Sequence, residues 1–282
     1  MGRVEEFRTA RPHPALAGMV APYIGYAQEY RGGEPPVHLG LPSGAVTVAV
    51  SLREPMDLLG GPGAEQGPVR LQAVVGGLHM RPVLLGRRGP ERGVQLAVHP
   101  LAVRALLGVG AAELTGTTVD AGDLPVPWAR LLPERLARAR GWADVFAEVD
   151  RALLWGLERN GARGAVPAEL AFAWRLLRGA GPVRVQQVAD SVGWSRRHLA
   201  QRMGAEVGVS PKQAARLARF ERSTRALRAR PSGLASVAAE CGFADQAHMT
   251  NEWRELAGCT PTQWMREELP FLQDLPVPAG PS

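Results

Sequence analysis

From Gly193 to Pro211 the chain reads GWSRRHLAQRMGAEVGVSP, and about fifty residues later, from Gly242 to Pro261, it reads GFADQAHMTNEWRELAGCTP. Each stretch opens with Gly and an aromatic residue and passes through a His followed by an apolar residue. Each closes on Gly, an apolar residue, Ser or Thr, and Pro. Aligned on the first Gly, Val188-Ala189 answers Val237-Ala238 and Trp194 answers Phe243. One extra residue in the second turn then brings His198-Leu199 onto His248-Met249 and Met203 onto Trp253. Each copy predicts a short helix, a tight turn at Gly and a second helix, with the apolar positions locking the two helices together.

The second helix of each copy keeps a face that apolar packing does not claim. In the first copy it offers Ser195, Arg196, Arg197, Ala200 and Gln201; in the second, Asp245, Gln246, Ala247, His248, Thr250 and Asn251. Arg, Gln and Asn are the residue types that bond bidentately to guanine and adenine edges in the major groove. Ser195 has the chemistry of a helix N-cap and of a phosphate contact. A polar helix face can also simply meet water, but two copies with matched apolar locks favour recognition.

The connection explains the spacing. PKQAARLARFERSTRALRA, from Pro211 to Ala229, starts with a proline that can begin a helix but not interrupt one. Ala214, Leu217, Phe220, Thr224 and Leu227 fall near one face of it. A helix of about 19 residues spans roughly 28 Å, against roughly 34 Å between successive major-groove faces on one side of DNA. One chain can therefore hold two recognition helices about one helical turn apart. Ala165 to Pro270 carries fifteen Arg and Lys against ten Asp and Glu. The arginines between Arg196 and Arg230 are read as phosphate-positioning contacts.

These residues resemble the DNA-binding domain of AraC/XylS-type transcription regulators. The resemblance covers about residues 168–268 and rests on "GWSRRHLAQRM…GVSP", "RFERSTRAL" and "VAAECGFADQAHMTNEWRELAGCTPTQW". It implies two helix-turn-helix units joined by a long helix. It also implies base reading by Arg197, Ala200 and Gln201 in the first unit and by Gln246, Ala247, His248, Thr250 and Asn251 in the second. Ala200 could touch only a thymine methyl, and Arg197 makes the first unit the stronger reader. The chain departs from the family pattern at Ala214, where an aromatic is usual, near Met203, where Phe or Tyr is usual, and at Ala244, where Ser is usual. The last leaves Asp245 to cap the helix.

The expected fold class is α+β, a β-rich regulatory domain with trailing helices followed by an all-α double helix-turn-helix. Residues 1–160 form the regulatory part, β-rich over 1–100 and helical over 100–157; 165–270 form the DNA-binding domain, and 271–282 a flexible Pro-rich tail. Val46 to Leu52, Val69 to Val75 and Gly93 to His99 read as strands. Met80 to Leu85, with Pro82 inside it, reads as an edge strand or a loop. Pro100 to Gly108, Trp128 to Arg140 and Trp142 to Leu157 read as helices, the last a candidate dimer helix, and 158–167 as the linker. The segment RGVQLAVHPLAVRALLGVGAAELTG resembles a recurrent stretch in sensor domains attached to this DNA-binding domain. That likeness implies effector sensing or dimerisation and names no ligand.

With 282 residues, 45% of them hydrophobic and 21% charged, the chain suits two soluble domains. Its net charge of +6 is carried almost wholly by arginine, Lys212 being the one lysine. No apolar run is long enough to span a membrane, the start has no apolar leader core, and a cytoplasmic setting is expected. Cys241 and Cys259 read as packed structural cysteines rather than a disulfide or a zinc site. His13, His38, His79 and His99 have no metal-ligand spacing, so neither metal nor cofactor is expected. The expected partners are double-stranded DNA, a small-molecule effector, a second copy of the chain, and RNA polymerase for an activator. A helix-turn-helix scaffold and a DNA-repair fusion enzyme are the alternatives. The second lacks the N-terminal cysteine it would need, because residues 1–240 contain none, and no catalytic constellation is apparent.

Overall fold

The computed structural model describes residues 4–29, 37–63, 67–86, 89–179, 181, 183–229 and 233–267. The expected tail at 271–282 lies outside the described residues. Among the described residues the first half contributes ten strands: β1 (Val4–Ala10), β2 (Tyr23–Glu29), β3 (His38–Gly40), β4 (Val46–Ser51), β5 (Met56–Gly60), β6 (Val69–Leu71), β7 (Ala73–Gly76), β8 (Val83–Gly86), β9 (Glu91–Val98) and β10 (Thr118–Asp120). They form two antiparallel sheets. One has the order β1-β2-β9-β4-β7-β10 and the other β3-β8-β5-β6.

Alternation along β4 explains how both faces of the larger sheet are used. Val46, Val48 and Val50 point into the main core with Val94, Leu96 and Val98 of β9. Ala49 points the other way and meets Val74, Leu58 and Val83 between the two sheets. Helices cover the valine face: α1 (Val103–Leu107), α2 (Ala111–Leu114), α3 (Pro127–Ala137) and α4 (Trp142–Asn160). Leu106, Val145, Val149 and Leu153 complete that core. On β2, Tyr23 reaches Asp150 of α4 with a 2.6 Å hydrogen bond.

Three strand and linker readings need correction. Val69 to Val75 is two strands in different sheets, broken at Gln72, whose side-chain amide donates to the carbonyls of Ser51 and Arg53. The strand near Pro82 is internal, between β3 and β5. It begins at Val83, after the proline, so the missing amide donor costs no ladder bond. The expected linker at 158–167 is packed: α4 runs on to Asn160, and a tight turn over Gly161–Gly164 lies against α1. A Cβ at Gly164 would fall 2.6 Å from the Cβ of Ala105.

The second half is helical: α5 (Ala168–Arg178), α6 (Val185–Ser191), α7 (Arg196–Val207), α8 (Pro211–Arg228), α9 (Leu234–Cys241), α10 (Gln246–Ala257) and α11 (Pro261–Glu267). Among the described residues no helix is long and apolar enough to cross a membrane, and no group of His, Cys, Asp and Glu is placed to hold a metal ion.

Candidate nucleic-acid interface

The two repeats fold alike. Gly193 and Gly242 turn the chain with φ of 68° and 81°, a left-handed conformation costly for residues with a Cβ. In each turn the amide after the glycine bonds back to the helix before it: Trp194 to the Ala189 carbonyl and Phe243 to the Ala238 carbonyl, both at 2.9 Å. The extra residue of the second copy is Ala244. It moves the N-cap role to Asp245, whose carboxylate accepts the His248 amide at 2.7 Å. Ser195 caps α7 in the same way, accepting the His198 amide at 3.1 Å.

The apolar locks are inside. Leu199, Met203, Met249 and Trp253 are fully buried, Phe243 is buried and Trp194 partly so. The Trp253 indole donates to the hydroxyl of Ser223, itself fully buried, at 2.9 Å. Cys241, the last residue of α9, is buried, and its thiol is pushed up chiefly by that burial. Cys259 is partly buried.

Ser195, Arg196, Arg197, Ala200 and Gln201 are all exposed on α7. On α10, Gln246, Ala247 and Asn251 are exposed, while His248 and Thr250 are half-buried. The His248 ring is turned back onto its own turn. Its Nδ1 accepts the Ala244 amide at 3.2 Å, its Nε2 lies 3.2 Å from the Glu252 carboxylate, and its edge meets Phe243. The Thr250 hydroxyl donates to the Gln246 carbonyl, and Asn251 accepts from Arg254 at 3.2 Å.

The arginines of α8 do not form the expected phosphate row. Arg219 donates to Glu252 at 2.6 Å and lies over the Phe243 ring. Arg216 pairs with Glu255 and lies 3.6 Å from Glu252. Arg222 donates to the carbonyls of Gly179 and Cys241, tying together the ends of α5 and α9. The cause is the side on which they leave the helix: Arg216 and Arg219 meet the buried acid of α10, so they hold the second unit to the connecting helix. Arg196, Arg197 and Lys212 remain exposed.

The α8 face that carries Glu221 and Arg225 closes a cavity of about 840 Å³ between the two β-sheets. Glu221, Thr224, Arg225 and Arg228 form that end of the wall. Glu221 is buried; it accepts the Gly44 amide at 2.6 Å and pairs with Arg178 of α5. The guanidinium of Arg228 lies over the Trp264 ring, and burial pulls its pKa down to about 10, leaving it charged at neutral pH. A second contact joins the halves at the end of α7, where the Thr115 hydroxyl donates to the Val207 carbonyl at 2.9 Å.

Residues 188–267 match the family described as a helix-turn-helix domain. The segment is an AraC-type domain. No curated protein is matched by the sequence. Among solved structures, the chain is similar to ToxT from Vibrio cholerae, with a TM-score of 0.51 and 10% identity over 86% of this chain and 97% of that one. It is similar also to wild-type ToxT from Vibrio cholerae with an unsaturated fatty acid bound, with a TM-score of 0.50 and 8% identity over 91% and 97% of the two chains. A regulator from Chromobacterium violaceum with an AraC-type DNA-binding domain aligns at 21% identity over 38% of this chain and 97% of its own, with a TM-score of 0.34. The two ToxT likenesses share the whole two-part fold, β-rich region and helical region together.

The AraC-type domain thus presents two helices, α7 and α10, whose capped N-termini and exposed polar residues follow the repeat. Sequence reasoning missed Glu221, Arg225 and Arg228 as cavity residues. Their only local signal is position: Glu221 and Arg228 are seven residues apart, and Arg225 one turn from Glu221, so all three lie near one face of a helix whose acids are few.

Proposed function

We propose that the protein is a sequence-specific, non-enzymatic transcription regulator whose α7 and α10 enter successive major grooves under the control of a small molecule in the inter-sheet cavity. The observation that carries this reading is that α8 is shared. One side of it holds the second recognition helix through Arg216 and Arg219, and another side closes the cavity through Glu221 and Arg225. A ligand that moves α8 moves the second helix-turn-helix unit against the first.

In this reading Arg197 and Gln201 read bases in one groove, with Ala200 against a thymine methyl and Ser195 and Arg196 on phosphate. Gln246, Thr250 and Asn251 face the next groove beside Ala247, and His248 orients the helix start rather than reaching a base. The ToxT structure with a bound unsaturated fatty acid supports a small-molecule effector for this architecture. The cavity volume falls in the range of roughly 300–1,000 Å³ common to small-molecule sites. The proposed division places the regulatory unit at 1–160 and the DNA-binding unit at 165–270, in a cytoplasmic protein that works as a homodimer and meets RNA polymerase where it activates.

The test is fluorescence anisotropy on DNA from upstream of the protein's own gene and on scrambled DNA, at about 50 and about 200 mM salt. Phosphate contacts fade over that range while base readout persists. Preference for the upstream DNA that survives the higher salt is the expected result. Equal loss on both removes the claim of specificity, and no binding at low salt leaves a helix-turn-helix interaction protein.

A further inference from the structure

The glycines that end α7 and α10 are equivalent in the repeat, and both meet the β-rich half. Gly208 closes α7 and Gly258 closes α10, with φ of 82° and 72°, the left-handed conformation that favours glycine at a helix C-terminus. Gly208 lies against the turn after α2. A Cβ there would overlap the Thr115 side chain and come within 2.9 Å of the Ala112 Cα. The Thr115 hydroxyl donates to the Val207 carbonyl at 2.9 Å, shared with the Ala111 carbonyl at 3.0 Å. Gly258 lies against Pro82, whose Cγ would be 3.5 Å from an added Cβ, an ordinary contact.

The two landing points belong to one corner. The Gly116 amide donates to the Leu78 carbonyl at 2.8 Å and the Gly77 amide to the Thr117 carbonyl at 3.0 Å, so the turn after α2 and the loop before β8 are tied together. The two holds differ. At this corner α7 is fixed by a hydrogen bond and a close backbone approach, whereas α10 rests on a proline ring. A unit joined through α8 alone can rotate about the axis of that helix, and a stop off the axis limits the rotation.

We propose that Thr115 and Pro82 are positioning residues for DNA reading: the corner holds α7, gives α10 a stop, and so fixes the spacing between the two base-pair boxes that the chain accepts. This rests on the DNA-reading role proposed above. Both residues act through the ends of the helices and not by touching DNA. One base pair inserted between the boxes moves the second by about 3.4 Å along the duplex and by roughly a tenth of a turn around it. Two helices held at the corner cannot follow that step without breaking a hold, whereas two helices joined by α8 alone can.

The test uses the full-length chain on its footprinted operator and on two derivatives with one base pair inserted or removed between the boxes. The parent is expected to bind the derivatives at least about tenfold more weakly, and Thr115→Val/Pro82→Ala to cut that penalty to about threefold or less. Thr115→Ser, which keeps the hydroxyl, should keep the parent's penalty. Thermal melts establish that each variant is folded. A double variant that loses affinity for all three operators alike keeps the penalty and overturns the proposal, as does a parent indifferent to spacing.

A measurement without DNA separates this proposal from the DNA reading itself. Nitroxides at Gln201→Cys and Asn251→Cys, in a chain carrying Cys241→Ala and Cys259→Ala, report the distance between α7 and α10 by pulsed electron spin resonance. The parent is expected to give one narrow distance that broadens with Thr115→Val/Pro82→Ala. An unchanged distribution overturns this proposal and leaves the DNA reading standing. Broadening in a chain that binds no DNA specifically overturns the DNA reading and this proposal with it.

Discussion

Glu221, on the helix that joins the two helix-turn-helix units, accepts the backbone amide of Gly44 from the loop before β4, 177 residues earlier, at 2.6 Å. Its second oxygen pairs with Arg178 at the end of α5. Glu221 and Arg178 are both buried at their side chains, with 11% and 12% exposure. One carboxylate therefore joins the β-rich half, the first helix of the helical half and the connecting helix. A Cβ at position 44 would overlap the Arg178 guanidinium, so a side chain there would have to push that group off Glu221.

Removing one member of a buried ion pair strands the other charge, at a cost of about 3–5 kcal/mol. Glu221→Ala is accordingly expected to lower unfolding free energy by an amount of that order in urea titrations. Glu221→Gln retains an acceptor for the Gly44 amide and should cost less. Equal losses for the two variants would mean that the charge on Glu221 carries the whole effect and the bond to the Gly44 amide none of it.

The indole of Trp253 gives a second, local prediction. Trp253→Phe keeps most of the apolar volume beside Phe220 and Trp264 but leaves the buried Ser223 hydroxyl without its indole donor. Ser223 still donates to the Phe220 carbonyl at 2.7 Å, which places the expected loss toward the low end of roughly 1–3 kcal/mol. Hydrogen exchange should show the loss in α10 more than in α7; a uniform change across both helices would count against it.

What could be read in the sequence follows the range of the forces involved. The repeat was legible because its signals are local: a glycine at the turn, apolar residues three and four apart, and capping residues at Ser195 and Asp245. The buried face of α8, from Ala214 to Leu227, was legible for the same reason. The three-residue strands β3, β6 and β10 are too short to show an alternating pattern. The break at Gln72 depends on carbonyls about twenty residues away. The α8 arginines looked like phosphate contacts because their composition shows charge and not direction, whereas Glu252 and Glu255 decide where Arg216 and Arg219 point. The cavity left no pattern at all, since it arises where two sheets and a helix from distant parts of the chain meet.

The cap of the first recognition helix separates folding from DNA contact. Ser195→Ala loses the bond to the His198 amide and should cost about 1 kcal/mol of stability. Ser195→Asp keeps a cap but adds negative charge where the reading above places a phosphate. It is expected to retain stability and lose DNA affinity at low salt. A Ser195→Asp protein that binds DNA as the parent does would take Ser195 out of the interface.

Arg197 is exposed on α7 one turn before Gln201, the position from which a guanidinium can bond a guanine edge. Arg197→Ala is expected to cost roughly 1–3 kcal/mol on the cognate site and distinctly less on random DNA. Anisotropy titrations on both DNAs decide between roles. An equal loss on the two demotes Arg197 to a phosphate contact.

His99 predicts how the contact between the halves responds to acid. Its ring stands edge-on to Trp174 of α5, and its Nδ1 accepts the Leu101 amide at 3.2 Å. Burial, with the nearby Arg178 charge second, pushes its pKa down from 6.5 to about 3. Above about pH 6.5 the imidazole is neutral in folded and unfolded chains alike, and it adds no pH dependence. Between about 6.5 and about 3 the unfolded chain takes up a proton that the folded chain refuses, so stability falls as pH falls, by up to about 1.4 kcal/mol per pH unit. His99→Asn keeps a side chain able to cap the turn but cannot titrate. In urea unfolding, parent and variant should therefore converge in stability as pH is lowered from 7 to 5, with the parent falling faster. Other titrating groups, including the half-buried His79, are common to both proteins and cancel in the difference. Parallel curves across that range would show that His99 is reached by water and solvated in the folded protein, and that the seam between β9 and α5 is open rather than closed.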